Sequence, residues 1–198
     1  LCVHTVGLLV RDVFSSHNPQ RVQVFAYSSS PLRDWVTEHI AKHVHWREVG
    51  LLADYELAQL IRDDALDVLI DLAGHTAGTR LSVFAYRPAT VQASWLGYFA
   101  TTGLDYMDAV LLDAEHAPEG TEAWFLESVY RMPQGRWCYT PVPYAPMFTM
   151  PRTPGRPFTF GCFNNTDKHN PELYKLWAEV LHAVPESHLL LKWRTLSN

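Results

Sequence analysis

The feature that most constrains this chain is a repeated change of period. Short runs rich in apolar and β-branched residues alternate with longer stretches whose apolar residues recur at helical spacing. From His4 to Phe14, Val6, Leu8, Leu9, Val13 and Phe14 follow the helical period, and Asn18-Pro19 closes the segment. Arg21 to Tyr27, with Val22, Val24 and Phe25, reads as a strand that ends in Ser28-Ser29-Ser30-Pro31. Helices are predicted over 31–45 and over 54–64, the second with Asp54 as its cap. The run Leu66 to Leu72 reads as a buried strand. A short helix near 80–86 and strands near 90–95, 108–112 and 128–132 follow. Strands alternating with helices imply a parallel sheet, because each parallel step needs a crossover that returns the chain to the same end. The fold class is therefore α/β.

Pro141, Pro143, Pro146, Pro151, Pro154 and Pro157 then fall within one short stretch of a chain that has 13 prolines in all. That density excludes a helix or a central strand and predicts a linker over 141–157 between a first lobe, 1–140, and a second, 158–198. In the second lobe Phe158 to Phe163 reads as a strand, Asn170-Pro171 caps and starts a helix running to Ala183, and His188 to Trp193 reads as the next strand. One such unit rarely buries enough apolar surface to fold by itself, so 158–198 is expected to be the truncated start of a larger domain. The first helix has no strand ahead of it, and the first lobe is expected to lack its first strand.

The balance of charge restricts the partners. A formal charge of −5 and a pI near 6.0, with no run of Lys or Arg, argue against broad affinity for nucleic acid or anionic membranes. Cys2, Cys138 and Cys162 form neither CxxC nor Cys/His metal spacing, so no disulfide framework or metal site is expected and a reducing cytoplasm fits. No secretory signal pattern and no apolar run long enough to span a bilayer is present.

In open α/β sheets the ligand crevice lies beyond the carboxyl ends of the strands. The loops expected there are Gly74 to Arg80, Leu96 to Gly103 and Asn164 to Lys168, each carrying glycines or small polar residues that let a substrate approach backbone amides. His75 could act as acid, base or hydroxyl-binding donor, or as a turn histidine bonded to a nearby carbonyl. His4, at a helix start, could face the crevice or merely cap. Asn164-Asn165 with Lys168 ahead of a capped helix suits an anionic group, although Asp167 and Glu172 would repel one. Arg80 and Arg87 could be surface ion-pair partners. No GxGxxG, P-loop, GxSxG or HExxH is present, which leaves dehydrogenase, NTPase, serine hydrolase and zinc protease readings unsupported.

Several motifs narrow this further. Asp71-Leu72-Ala73-Gly74-His75-Thr76-Ala77-Gly78, Phe84-Ala85-Tyr86-Arg87-Pro88-Ala89 with Val91-Gln92, Trp95-Leu96-Gly97-Tyr98 and Thr101-Thr102-Gly103-Leu104-Asp105-Tyr106-Met107-Asp108 resemble the catalytic region of the protein O-linked N-acetylglucosamine transferase and SPINDLY family. Phe160-Gly161-Cys162-Phe163-Asn164-Asn165 with Lys168 is similar to the start of that family's donor lobe. The resemblance covers nearly the whole chain. It implies a GT-B architecture of two Rossmann-like lobes and metal-independent, inverting transfer from a nucleotide sugar, with no further cofactor, to Ser or Thr hydroxyls of a protein. By the resemblance, Lys168 stabilises the departing diphosphate, Asn165 and its neighbour Asn164 help hold the donor, and His4 sits near the transferred sugar. Leu96 and Gly97 contact that sugar, and Thr76 and Arg80, with His75 secondarily, line the acceptor groove. The expected donor is UDP-N-acetylglucosamine; GDP-fucose is the alternative, and an inactive peptide-binding remnant a further one. The chain departs from the family's Gly-Tyr-Pro-Gly at Phe99-Ala100 and from its Tyr-Ser-Glu at Phe125-Leu126.

Overall fold

The computed structural model describes residues 1–145 and 155–196. The chain divides into two compact units, Leu1–Ala145 and Pro146–Asn198. Of the predicted linker, residues 141–145 and 155–157 are neither helix nor strand, while Pro146, Pro151 and Pro154 lie outside the described residues.

The first unit runs α1 (Thr5–Val10), β1 (Phe25–Ser28), α2 (Trp35–Ala41), β2 (His45–Glu48), α3 (Asp54–Asp63), β3 (Val68–Asp71), α4 (Leu81–Phe84), β4 (Val91–Trp95), β5 (Ala109–Leu112) and β6 (Ser128–Arg131). All its strand pairs are parallel, in a two-stranded sheet β1-β2 and a four-stranded sheet β3-β4-β5-β6. The single sheet expected for this lobe is thus in two pieces, since β1 and β3 are not hydrogen-bonded to each other. One core nevertheless joins them: Leu57, Ala58 and Ile61 of α3 and Val83 and Phe84 of α4 pack with Leu69 of β3, and Tyr27 of β1 lies against the same cluster. A second cluster sets Val10, Val36 and Ile40 of α1 and α2 against Trp95 and Leu96. Both faces of β4 are therefore covered, and Gln92, Ala93, Ser94 and Trp95 are all buried. Buried aliphatic side chains of this size each stabilise the fold by about 1.5–3 kcal/mol.

Four expectations need correction. The helix predicted over 31–45 is α2 followed by β2. Asp34 caps α2 by accepting the N–H groups of Val36 at 2.9 Å and Thr37 at 3.1 Å, so the helix starts later, and His45 to Glu48 then pair in register with Phe25 to Ser28. The cap of α3 is Ala53, not Asp54: Glu56 accepts the Ala53 N–H at 2.8 Å, and Asp54, inside the helix, binds Arg80. The 66–72 run is not buried on both faces, for Leu69 and Asp71 are buried while Val68 and Ile70 are 50% and 41% exposed. The helix expected from His4 to Phe14 is shorter, ending at Val10 before a 3-10 turn at Phe14–Ser16.

The second unit holds β7 (Thr159–Cys162), α5 (Pro171–Ala183) and β8 (His188–Leu191), with the two strands paired in parallel. Asn170 caps α5 by accepting the Leu173 N–H at 2.8 Å, and Pro171 occupies the first turn, where a missing N–H costs nothing. Its described residues include none that is fully buried.

Candidate functional site

The loops after β3 and β4 converge because two glycines leave no room for a side chain. A Cβ on Gly97 would overlap the Leu72 carbonyl oxygen and lie 3.2 Å from Val6 Cγ2, so the β4 loop presses on both the end of β3 and the start of α1. Gly74, at φ +57°, faces the Tyr98 ring in the same way, and any Cβ there would overlap it. Three segments, those carrying His4, His75 and Leu96, thus meet at the carboxyl ends of β3 and β4, where a parallel sheet places its ligand.

Asp71 shapes the first loop. Its buried carboxylate accepts the Gly74 N–H at 2.5 Å and draws the turn back over the strand end. Burial pushes its carboxyl above the ordinary value, against the opposing N–H groups of Gly74 and Ala73 and the nearby His75. His75 Nε2 lies 2.7 Å from the Thr102 carbonyl oxygen. A carbonyl can only accept, so Nε2 donates this hydrogen bond. The carbonyl-bonded reading of this histidine is what the structure shows.

The β4 loop is tied from its far side. Glu127 accepts the Thr102 N–H at 2.6 Å and the Thr101 hydroxyl at 2.6 Å, and the Thr102 hydroxyl also donates to it. Burial raises the Glu127 carboxyl, but these hydrogen bonds outweigh it and the net shift is downward. Leu96, 1% exposed, adopts φ +73°, an unfavourable region for a residue with a Cβ. Its carbonyl accepts Nη2 of the buried Arg136 at 2.5 Å. Arg136 is in turn held through its own N–H, which donates to Asp113 Oδ2 at 2.8 Å.

Of the residues the sequence points to, His4, His75, Thr76, Leu96 and Gly97 are brought to this one region. His4 caps α1, its Nδ1 accepting the Val6 N–H at 3.4 Å, and its ring is exposed. Thr76 is exposed and donates its hydroxyl to the Ala73 carbonyl at 2.8 Å. Arg80 is turned the other way, toward α3, donating to Asp54 Oδ1 at 2.7 Å and to the Leu52 carbonyl at 2.9 Å. Asn164, Asn165 and Lys168 lie in the second unit. There Asn165 Oδ1 accepts the Asp167 N–H at 3.1 Å, Asn164 Oδ1 accepts the Asn165 N–H at 2.9 Å, and the Lys168 side chain is exposed.

Sequence reasoning missed Arg136 and Asp113, since a lone Arg and a lone Asp beyond strand ends carry no spacing signal. Among the described residues no cluster of three or more His, Cys, Asp or Glu could hold a metal ion, and no helix is long and apolar enough to cross a membrane. A cavity of about 530 Å³ lined by Arg11, Trp35, His39 and Pro141 includes none of the strand-end loop residues.

Residues 1–138 match the profile of Glycosyl transferase family 41. A probable UDP-N-acetylglucosamine–peptide N-acetylglucosaminyltransferase SPINDLY from Solanum lycopersicum is 35% identical over 195 residues, which are 96% of this chain and 21% of that protein. A probable enzyme of the same description, SEC from Arabidopsis thaliana, is 30% identical over 202 residues, 95% of this chain and 20% of that protein. A solved structure, a lysine-to-methionine mutant of O-GlcNAc transferase from Thermobaculum terrenum, superposes with a TM-score of 0.87 at 34% identity, over 96% of this chain and 36% of that one. The chain spans about a fifth of the length of the curated relatives it matches.

Proposed function

Because the chain belongs to Glycosyl transferase family 41, we propose that it forms the acceptor-side lobe and the opening of the donor lobe of a protein O-glycosyltransferase of GT-B type. The reaction is transfer of N-acetylglucosamine from UDP-N-acetylglucosamine to Ser or Thr hydroxyls. The observation that carries this reading is the meeting of the His4, His75 and Leu96-Gly97 segments at one end of a parallel sheet. The relatives, described as probable UDP-N-acetylglucosamine–peptide N-acetylglucosaminyltransferases, suggest the donor and the acceptor class.

The chemistry follows from the leaving group. The acceptor oxygen attacks the anomeric carbon from the face opposite the diphosphate. The bond from that carbon to the phosphate oxygen breaks, the diphosphate leaves with the electron pair, the hydroxyl proton is lost, and the configuration inverts. A hydroxyl is a weak nucleophile, so electrostatic stabilisation of the departing diphosphate is the main contribution. We assign that role to the exposed ammonium of Lys168, with Asn164 and Asn165 as donor-holding neighbours, and no metal takes part. The Gly97 backbone, set by the buried Leu96 before it, faces the sugar, and His75, with Thr76, addresses the acceptor.

The test offers the full-length polypeptide labelled UDP-N-acetylglucosamine or GDP-fucose, each with a panel of Ser/Thr peptides and with EDTA present. Transfer from the UDP sugar is expected. Transfer only from GDP-fucose overturns the donor assignment, and binding of peptides without transfer from either donor overturns the enzymatic reading.

A further inference from the structure

Arg136 is 1% exposed, yet its guanidinium is only partly satisfied. Nη2 donates to the Leu96 carbonyl at 2.5 Å, while Nε and Nη1, both buried, have no hydrogen-bond partner among the described residues. The guanidinium lies 4.3 Å from the Trp137 ring centroid and 5.9 Å from that of Phe99. Burial pushes its pKa down, and the attraction of Asp113 only partly restores it. Burying a cation in this state is costly, and an apolar side chain of similar length would fill the space without that cost. Beyond its attraction to Asp113 and its contacts with the Trp137 and Phe99 rings, the guanidinium grips the Leu96 carbonyl, which a methionine could not do.

That carbonyl belongs to the most constrained residue of the loop. Leu96 sits at φ +73° with Gly97 pressed on Leu72 just after it, so the peptide between them has little freedom and its orientation fixes where the loop points. The backbone of Arg136 is itself anchored at both ends, through its N–H to Asp113 and through its carbonyl, which accepts Trp95 Nε1 at 3.1 Å. Phe99, whose ring centroid lies 5.9 Å from the guanidinium, is one of the two residues at which this loop departs from the family pattern.

We propose that Arg136 is a positioning residue for the Leu96–Phe99 loop: its buried guanidinium holds the Leu96 carbonyl and so fixes the backbone that meets the transferred sugar. The role of the loop rests on the transferase reading above, whereas the grip on the loop does not. A charged donor on a buried carbonyl makes a strong hydrogen bond, and its loss frees the loop without removing any group that touches the nucleotide.

The test compares Arg136→Met and Arg136→Lys with the unaltered full-length polypeptide. For the methionine variant, amide hydrogen exchange over residues 96–99 is expected to accelerate by about tenfold or more. The KM for the nucleotide sugar is expected to rise by about tenfold, while affinity for UDP alone and KM for the peptide stay within about twofold. Lysine, which keeps the charge and one donor, is expected to fall between the two. Unchanged exchange at 96–99 overturns the proposal, and so does a uniform fall in kcat and melting temperature with an unchanged donor KM, which marks a simple staple. If the methionine variant does not fold, the lysine variant decides by the same readouts. Should the unaltered protein transfer no sugar, the transferase reading fails while the exchange measurement still decides whether Arg136 holds the loop.

Discussion

The loops after β3 and β4 are packed against each other and against α1, whereas the loop after β7 is held by its own asparagines and by a hydroxyl contact between Thr166 and Thr195 at 2.6 Å. In the first unit Gly97 has no space beyond the Leu72 carbonyl, His75 is bonded across to Thr102, and Glu127 and Arg136 brace the β4 loop from behind. In the second unit Asn164 and Asn165 make hydrogen bonds within two residues of themselves, and Lys168 stands exposed. The cores differ likewise: Val10, Val36, Ile40 and Val110 are fully buried, while Phe163, Leu176 and Leu190 remain 61%, 57% and 52% exposed. The first region is a shaped platform whose geometry is set by backbone packing. The second presents an exposed charge. Stability and function should therefore separate between the two.

Gly97→Ala strikes the platform most directly. The new methyl group can be accommodated only if the backbone of Leu72 or of the loop moves, so a loss of about 3 kcal/mol or more is expected, read as a fall in the urea midpoint. A stability within error of the parent would show that the two loops are not locked. Lys168→Ala is the counterpart in the second region. Transfer should fall by about 100-fold with the melting temperature moved by no more than about 2 °C, because the side chain is exposed and the role proposed for it is toward the diphosphate alone. Normal turnover would remove the lysine from the mechanism, and a large drop in melting temperature would make it structural.

How far the sequence revealed this contrast depended on whether a feature was local. The α5 cap was legible because Asn-Pro encodes both the cap and the first turn within two residues. The strands β4, β5 and β6 were legible because apolar, β-branched runs lie between turn residues. The strand β2, His-Trp-Arg-Glu, was hidden, since it carries no β-branched residue and gains its strand character only by pairing with β1. The loop motifs pointed to Gly74, His75, Leu96 and Gly97, but nothing in the order of residues says that Gly97 abuts Leu72, or that Arg136, 40 residues beyond Leu96, grips its carbonyl. Those contacts are made by tertiary closure. Arg80 illustrates the converse: a motif residue in a strand-end loop whose side chain turns to Asp54 instead.

The second unit can be probed for stability where its structure is most local. Asn170→Ala removes the oxygen that accepts the Leu173 N–H, and about 1 kcal/mol of α5 stability should go with it. Hydrogen exchange along Leu173 to Trp177 should rise while that of β4 stays unchanged. If β4 exchange rises in step, the two units unfold together and the separation drawn above is wrong.

The smallest effect sharpens the comparison inside the platform itself, between two buried aspartates at strand ends. Asp71 has its carboxyl raised by burial, so in the folded protein it keeps its proton to a higher pH than the unfolded chain, whose Asp titrates near about 3.9. As pH rises from that value through the raised folded value, the unfolded chain releases its proton first, and Asp71 therefore withdraws stability across that window. Asp113 is the opposite case. The His116 ring, with the N–H groups of Arg136 and His116, holds its carboxyl far below the usual range, so it contributes stability above the unfolded value and loses it as pH falls toward the folded one. Melting temperatures of Asp71→Asn and Asp113→Asn from pH 3 to pH 7 should diverge from the parent in opposite senses. The Asp71 variant should gain relative to the parent as pH rises through the upper window. The Asp113 variant should be the less stable at neutral pH and approach the parent on acidification. Curves that stay parallel to the parent's would mean that neither carboxylate differs from its unfolded state, and that the β3 turn is held by the glycine contacts alone.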